Sequence, residues 1–476
     1  MIGPVVSRIA GTIRLGLFGL VLAVLVVTLG ADETMASLLA SVLVFAVCLL
    51  LRPRLFSRLD YALALALVLG FGFMAADCVT TSLGDWKTLV RALGPEDRLR
   101  LLVLNDRTLA LVTIAAPLFL FGTIFLGRLG DRRVLLALRG LCILALATGI
   151  VAIVQFLFFE DNLLFATKKY YMGSLTFPFV YKNTACSYYA LYALVSLFLA
   201  RITYRDRVRS GGIRLFRDEW ALHLTEFLVL ASCAGLANSM AGLFAFGLAL
   251  AAMGYLFVVQ ALLRRRSVFG MRLDRRRFGL VLLAFCLASL LAVLAGLHMA
   301  EVAVETQNDG LDPRLCNLKD VWRATVDGLP FGHGPGMFAR IFPLYRDAAC
   351  GVLGTFDRAH NVFLEGLFAF GWGFAAMLLA YGLLIGLLIV KALRRLSVLR
   401  DVSVLLVGIN GLVVTHSLFD FSLQMPGFSL HFALVLALAA SLARNSALGE
   451  AQSVPRSRSW AAPPPGNPAE AVVERF

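Results

Sequence analysis

The chain has 476 residues, of which 59% are hydrophobic and only 16% are charged, and its formal net charge is +14. Soluble domains contain about 45–50% apolar and about 25% charged residues, so this composition excludes an ordinary soluble protein. The basic residues do not indicate nucleic-acid binding, because they are divided among short segments between apolar runs.

Apolar runs of about twenty residues recur along the chain, and each is long enough to cross the roughly 30 Å hydrocarbon core of a bilayer as a helix. We therefore predict an all-α integral membrane protein with about twelve transmembrane helices. The predicted spans are 13–29, 33–51, 60–77, 108–126, 134–158, 184–200, 221–237, 240–262, 278–298, 362–390, 402–418 and 427–443.

Arginine and lysine cluster in alternate connections between these spans, for example at 127–133, 201–219 and 264–277. By the positive-inside rule these connections face the cytoplasm, which places both termini there as well. The net positive charge is therefore explained mainly by membrane topology.

One large connection on the opposite side is the predicted working surface of the protein. It covers residues 299–360 and is less apolar than the spans around it. An extracytoplasmic loop of this length is usually either functional or disordered. We predict that 1–444 form a polytopic transmembrane domain carrying this loop, and that the proline-containing segment 445–476 is a disordered cytoplasmic tail.

The apolar run at 362–390 is too long for one untilted span, and it contains Gly366, Gly371 and Gly373. Glycines permit a sharp change of direction inside a helical run. We expect a short helix at the outer surface that bends near these glycines into the tenth span.

A glycine-rich segment lies inside the large loop, with glycines at 332, 334 and 336 and a histidine at 333. Such a composition suits tight turns and a close approach of the backbone to a ligand. A mobile surface turn has the same composition, so the segment alone does not decide between a ligand-binding turn and a mobile one.

Basic side chains surround this segment, including Arg314, Arg340 and Arg346, and aspartates are interleaved with them. Solvated ion pairs would explain any one of these arginines. As an outward-facing set beside a membrane, they suit a lipid diphosphate, because guanidinium groups bind phosphate oxygens bidentately and keep their charge.

His360 and Asn361 immediately precede an apolar helical run. The positive end of a helix dipole disfavours a protonated imidazole, and a neutral imidazole is what a general base requires. The alternative is that one of these two residues merely caps the helix.

These features resemble the O-antigen ligase and O-antigen polymerase family of polytopic membrane enzymes. Arg314, Trp322 and residues 332–338 are similar to the family's Arg…Trp…Gly-x-Gly-x-Gly-x-Phe segment, and residues 360–364 resemble its His-Asn-x-x-Leu signature. The resemblance spans about residues 140–440.

Two further segments support the resemblance. Residues 179–185 are similar to the family's Phe-x-Asn-Arg-Asn segment, with Lys182 where arginine is common. Residues 416–426 resemble a His-Ser-x-x-Asp-Phe-x-Leu-Gln-x-Pro element of the capsule and exopolysaccharide polymerase-like members. In another departure, Met240 stands where the family commonly has a diphosphate-binding arginine.

The resemblance implies a GT-C-like, metal-independent glycosyltransferase without a cofactor, placed in the bacterial inner (cytoplasmic) membrane. Its donor would be an undecaprenyl-diphosphate-linked oligosaccharide, taken from among the membrane lipids. Arg314 would hold the diphosphate, with Lys182, Arg340 and Arg346 as further candidates. His360 and Asn361 would be catalytic. The supporting residues would be Gly332, His333, Gly334, Gly336 and Asp420.

The acceptor decides the type of enzyme. A second lipid-linked glycan makes a polysaccharide polymerase, which the segment 416–426 favours, whereas lipid A–core makes an O-antigen ligase. A protein of another class, a lipid-linked-glycan flippase or secondary transporter, would also have twelve spans with both termini inside. Transporters more often carry charged residues and interrupted helices at the membrane midplane.

Overall fold

The structure is a computed structural model, and it describes part of the chain. The described residues are 41–45, 48, 106–127, 129–159, 162–163, 166–168, 171–209, 218–263, 313–347, 357–393 and 399–453. The predicted spans at 13–29, 60–77 and 278–298 lie outside these residues, as does most of 33–51. The same holds for the tail from residue 454 onward and for the side chain of Arg314.

Within these ranges the chain is almost entirely helical. The α-helices are α1 (Asp106–Leu126), α2 (Asp131–Phe158), α3 (Lys182–Arg209), α4 (Glu219–Leu236), α5 (Met240–Leu263), α6 (Pro313–Asp327), α7 (Phe338–Ile341), α8 (Val362–Phe370), α9 (Trp372–Leu393), α10 (Leu399–Ser417) and α11 (Pro426–Ser453). Short 3-10 turns cover Phe342–Leu344 and Ser422–Gln424. Strands β1 (Asn162–Leu163) and β2 (Ala166–Thr167) form a small antiparallel hairpin in which Asn162 pairs with Thr167.

Several of these helices suit a membrane. Among the described residues, five helices are long and apolar enough to cross a bilayer, namely α2, α3, α5, α9 and α11. Two shorter apolar helices occupy Thr113–Leu126 and Asp401–Ser417. The predicted all-helical architecture is thus confirmed in the part of the chain that the structure describes, and its long apolar helices are candidates for membrane spans. The total of about twelve spans stays a prediction.

The helices divide into central and peripheral ones. The apolar part of α11 is entirely buried and that of α3 nearly so, and α3 buries Tyr188, Tyr189 and Tyr192 completely. In contrast, α9 exposes Leu379, Leu383 and Leu387. Residues four apart lie on one helical face, and an exposed apolar face on a membrane-crossing helix is satisfied by lipid chains. Helices α3 and α11 therefore form the protein-lined centre.

Helices α3 and α10 run antiparallel, and an ion-pair cluster joins the end of α3 to the start of α10. Nε of Arg201 lies 3.1 Å and Nη1 of Arg205 lies 2.7 Å from the carboxylate of Asp401. The carboxylate is almost fully buried, so the two arginines compensate a charge that would otherwise be costly to desolvate. Antiparallel packing places the start of α3 beside the end of α10, at the other end of the pair.

The run at 362–390 bends at a glycine, as its sequence predicts. Helix α8 ends at Phe370, and Gly371 has a φ of +54° before α9 begins at Trp372. The predicted domain bounds stay a prediction, and in the described part α11 continues to Ser453. The segment 445–453 has no proline to stop a helix.

Candidate functional site

Asp420 lies at the centre of a polar cluster at one end of the helical bundle. We define the Asp420 cluster as Asn183, His360, His416, Asp420 and Ser422. The carboxylate accepts hydrogen bonds from Asn183 Nδ2 at 2.8 Å, from the Ser422 backbone N–H at 3.0 Å and from the Ser422 hydroxyl. Nδ1 of His360 lies 3.9 Å and Nε2 of His416 lies 4.0 Å from its oxygens.

Three separate segments supply this cluster. Asn183 lies in the first turn of α3, His360 directly precedes the N-cap of α8, and Asp420 follows the end of α10. These are segments 179–185, 360–364 and 416–426, each of which carries part of the family resemblance. Their side chains meet although Asn183 and Asp420 are 237 positions apart in the chain.

The environment of Asp420 keeps its carboxyl group ionised. Burial by itself would raise the pKa, because the side chain is only 1% exposed. The interactions with His360 and His416 and the hydrogen bonds from Ser422 and Asn183 outweigh burial, and they lower the pKa of Asp420 to about 2. At neutral pH the cluster therefore contains a buried negative charge with oriented donors around it.

Two side chains fix the backbone around His360: Asn361, the N-cap of α8, and Glu365, which lies inside α8. His360 has a φ of +51°, a conformation that is uncommon for a non-glycine residue. The Asn361 Oδ1 accepts the Leu364 N–H at 3.0 Å, and Glu365 Oε2 accepts the Ala359 N–H at 2.7 Å. Asn361 is thus the N-cap of α8, and the His360 side chain faces the Asp420 carboxylate.

Asn361 also ties this turn to α10, because its Nδ2 donates to the Leu418 carbonyl at 3.1 Å. One amide side chain therefore caps α8 and connects it to the segment that carries Asp420. This explains physically why an asparagine follows the histidine: it positions the imidazole relative to the carboxylate.

The His360 ring is partly accessible and partly packed. Its side chain is 25% exposed, and its ring lies edge to face on Phe421 with 4.9 Å between centroids. A partly exposed imidazole beside a buried carboxylate can accept a proton, because the carboxylate stabilises the imidazolium that results.

In the described parts of the chain, no group of three or more His, Cys, Asp or Glu side chains could hold a metal ion. Both oxygens of Asp420 already accept hydrogen bonds from the protein.

Aromatic and basic side chains border the cluster. Phe421 contacts Tyr181 at 5.2 Å between centroids, and Tyr181 in turn contacts Tyr171 at 6.2 Å. Nζ of Lys182 lies 5.8 Å from the Tyr171 ring, and the guanidinium of Arg358 lies 5.7 Å from the Phe421 ring. Aromatic faces suit the apolar face of a sugar, and cations suit phosphate.

Arg358 is one of the arginines around the glycine-rich segment, but it is not among the residues that the resemblance assigns to the site. It donates to Gln424 Oε1 at 2.9 Å and lies 4.0 Å from Glu365. Burial raises the pKa of Glu365 more than the neighbouring Arg358 and its hydrogen bonds lower it. The signal that could have identified Arg358 is its position two residues before His360.

The predicted diphosphate-binding residues are distributed over several elements. Lys182 directly precedes Asn183 of the cluster at the start of α3. Arg340 is exposed in α7, and Arg346 is half-buried just beyond the 3-10 turn that follows α7. Met240 begins α5, where Ser239 Oγ accepts the Gly242 N–H at 3.2 Å.

The glycine-rich segment packs tightly against the C-terminal end of α8. The His333 and Gly334 N–H groups donate to the carbonyls of Phe368 and Ala369 at 2.7 and 2.9 Å. Gly332 has a φ of +85°, and a Cβ there would lie 2.5 Å from the Ala369 oxygen. The glycines therefore permit close backbone contact with the protein itself, so the alternative of a mobile surface turn does not fit the described geometry.

His333 is bound within this segment. Its Nε2 lies 2.7 Å from the Ala324 carbonyl of α6, and its ring packs on Phe368 at 4.5 Å between centroids. One ring nitrogen is thus bonded to the backbone of α6, so His333 suits a role in holding the glycine-rich segment in place.

His416 and Ser187 extend the cluster into the core. The Ser187 hydroxyl bonds Nδ1 of His416, and both side chains are almost completely buried. Their arrangement resembles a Ser-His-Asp series by residue type, but burial removes Ser187 from any large substrate. Nε2 of His416 lies 4.0 Å from the Asp420 carboxylate, so this buried pair lies on the core side of Asp420.

The chain matches no protein-family model, and no curated protein matches it in sequence. The function is therefore inferred from the geometry of the Asp420 cluster together with the resemblance of its motifs.

Proposed function

We propose that the protein is an integral membrane glycosyltransferase of the polysaccharide-polymerase type. It would use an undecaprenyl-diphosphate-linked oligosaccharide as donor at the periplasmic face of the bacterial inner membrane. The observation that supports this most strongly is the meeting of three motif segments at Asp420, where His360 lies 3.9 Å from a buried carboxylate. A buried carboxylate with a lowered pKa beside a partly exposed imidazole is an arrangement that clusters at functional sites.

In the proposed reaction His360 is the general base. It takes the proton of the acceptor hydroxyl while that oxygen forms a bond to the anomeric carbon of the donor sugar. The bond between that carbon and the diphosphate oxygen breaks, and the diphosphate leaves with the electron pair. Because Nδ1 faces Asp420, we assign the basic lone pair to Nε2. Asp420 stabilises the imidazolium formed, and no metal is required in this scheme.

The lipid diphosphate needs cations near the breaking bond. Lys182 directly precedes Asn183 of the Asp420 cluster, and Arg358 lies over the Phe421 ring next to Asp420, so we favour these two residues. Arg314, Arg340 and Arg346 are retained as further candidates for the remainder of the diphosphate. Arginine offers a planar fork of donors and lysine a point charge, so the two contribute differently to orientation.

The polymerase assignment rests on the resemblance of residues 416–426 to polymerase-like members. Asp420, at the centre of the cluster, belongs to this segment, so the part of the chain that resembles polymerases also supplies the proposed site. An O-antigen ligase would use the same base and donor with lipid A–core as acceptor.

The test uses purified protein in vesicles with a lipid-linked oligosaccharide donor, and compares His360→Ala with His333→Ala. A positioned base contributes typically 10²–10⁴-fold, so His360→Ala should lose about that factor while the protein remains folded. His333→Ala is the matched control, because it removes an imidazole from the neighbouring segment. Full turnover by His360→Ala would refute the role of His360.

Deletion of the gene separates the two acceptors. Accumulation of single lipid-linked repeats indicates a polymerase, whereas accumulation of lipid-linked polymer with loss of long chains on lipid A indicates a ligase. Unchanged glycans would argue against both.

A further inference from the structure

Helix α6 has three distinct faces. Asp320, Val321 and Ala324 are buried, and Val321 and Ala324 pack in one apolar cluster with Phe368 of α8. A second face exposes an apolar stripe that consists of Leu318 (38% exposed), Trp322 (55%) and Val326 (44%). These residues are four apart and therefore lie in line along the helix.

The third face is charged. Lys319, Arg323 and Asp327 are exposed, again at intervals of four residues, and they lie directly beside the apolar stripe. A helix with an apolar stripe bordered by charges suits a boundary between hydrocarbon and water. The two basic side chains also suit anionic headgroups, although Nη1 of Arg323 already lies 3.8 Å from the Asp320 carboxylate of the same helix.

The segment after α6 contacts the start of α9, and this contact indicates how deep the C-terminal end of α6 lies relative to the bilayer. The Trp372 N–H donates to the Pro330 carbonyl at 2.9 Å, so residue 330 lies beside the first residue of α9. Helix α9 is long and apolar enough to cross a bilayer, so its first residue, Trp372, would lie near the boundary of the hydrocarbon layer. Pro330 is only three residues beyond the end of α6 at Asp327.

The exposed surface is continuous from α9 to this segment. Trp372 (60% exposed) lies in the same helical row as Leu379, Leu383 and Leu387, the face of α9 that we assign to lipid. Phe331, which adjoins Pro330, is 65% exposed. Tryptophan and other aromatic residues are enriched at membrane–water interfaces, because one part of the ring is apolar and the other tolerates water.

We propose that α6 lies in the interfacial layer of the bilayer, with the apolar stripe inserted among lipid chains and the charged face toward the headgroups. Its partner is the phospholipid bilayer itself. Since α6 packs on α8, and His360 directly precedes the N-cap of α8, this contact would set the height of the Asp420 cluster relative to the membrane. The inference rests on surface geometry and does not depend on the proposed glycosyltransferase activity.

The test uses the full chain with a single tryptophan, reconstituted into vesicles of phosphatidylcholine and phosphatidylglycerol. One variant keeps only Trp322 of the 5 tryptophans, another keeps only Trp372, and the others are replaced by phenylalanine. Fluorescence is measured in plain lipid, in lipid brominated near the headgroup and in lipid brominated near the chain end. The Trp372 protein serves as the reference for the boundary.

We expect the shallow bromines to quench Trp322 strongly, to about the same degree as Trp372, and the deep bromines to quench it less. Iodide added in water should quench Trp322 only weakly. If the single-tryptophan proteins do not fold, wild type is compared with Trp322→Phe, and the shallow quenching lost in the variant reports Trp322.

Quenching of Trp322 by iodide without quenching by brominated lipid would overturn the proposal, because the stripe would then face water. Protection from both reagents would overturn it as well, since a protein surface, such as a second copy of the chain, would then cover the stripe.

Discussion

Replacing Asp420 by asparagine tests whether its buried charge supports chemistry at His360. The two side chains are 3.9 Å apart, and His360 is 25% exposed. Unit charges about 4 Å apart interact by about 1 kcal/mol in water and about 4 kcal/mol at an effective dielectric constant of about 20. A partly exposed pair lies between these limits. Because each 1.36 kcal/mol changes a rate tenfold, we expect kcat/KM to fall by roughly 5- to 10³-fold.

The variant should remain folded, because asparagine has the shape of aspartate. Its amide oxygen can accept the Ser422 hydrogen bonds, and the Asn183 amide can rotate to accept from the new NH₂ group. We expect a cost of about 1–3 kcal/mol for the altered hydrogen bonds. Turnover is measured from initial rates with lipid-linked donor, and folding is measured by thermal unfolding in detergent.

Asp401→Asn is the matched control for this experiment. It makes the same chemical change in a buried carboxylate, but at the opposite end of α3, where Asp401 pairs with Arg201 and Arg205. We expect it to lower stability and to leave the turnover of the folded fraction near that of wild type. A folded Asp420→Asn protein with wild-type turnover would refute the electrostatic role of Asp420. Equal losses in both variants would point to damage of the fold.

Three further predictions concern stability and the site. The pKa of Asp420 is lowered in the folded protein from 3.8 to about 2. Ionised Asp420 therefore stabilises the fold by about 2 kcal/mol above about pH 4. This stabilisation is lost as the pH falls through about 2. Asp420→Asn should therefore unfold with a flatter dependence on acid; an unchanged acid profile would contradict the lowered pKa. Gly332→Ala should lower Tm, because its φ is +85° and its Cβ would meet the Ala369 carbonyl; Gly130→Ala, where a Cβ meets no atom within 4 Å, is the control and should not. Glu365→Ala should lower kcat more than Glu365→Gln, because glutamine can still accept the Ala359 N–H beside His360; equal rates would show that this bond does not position the base.

Local sequence patterns predict the helices of this protein well, for a physical reason. A chain in lipid must satisfy its backbone hydrogen bonds within each segment, so a long apolar run is sufficient evidence for a helix. The run that became α2 shows this, since the predicted span 134–158 lies within Asp131–Phe158. The bend at Gly371 and the capping capacity of Asn361 are also local properties, and both are found in the structure.

Helix α11 is longer than the predicted span 427–443, because hydropathy reports the apolar part of a helix and not its more polar continuation. Residues 445–453 continue the helix, and Asn445 bonds Leu129 and Asp131 in the connection between α1 and α2. That contact depends on how α11 packs on α1 and α2, which residue types along the chain do not report.

By itself, the sequence determined that this is an apolar, helical membrane protein with candidate residues at His360, Asn361 and Asp420, because composition and short motifs are local. Only the tertiary structure decided that Asn183, His360 and Asp420 meet, that the glycine-rich segment packs on α8, and that Arg358 borders the cluster. Those contacts join residues far apart in the chain, and they depend on which faces of α3, α8 and α10 are buried together. Burial of Asp420 and its lowered pKa follow from that packing, since a carboxylate acquires such an environment only when several helices surround it.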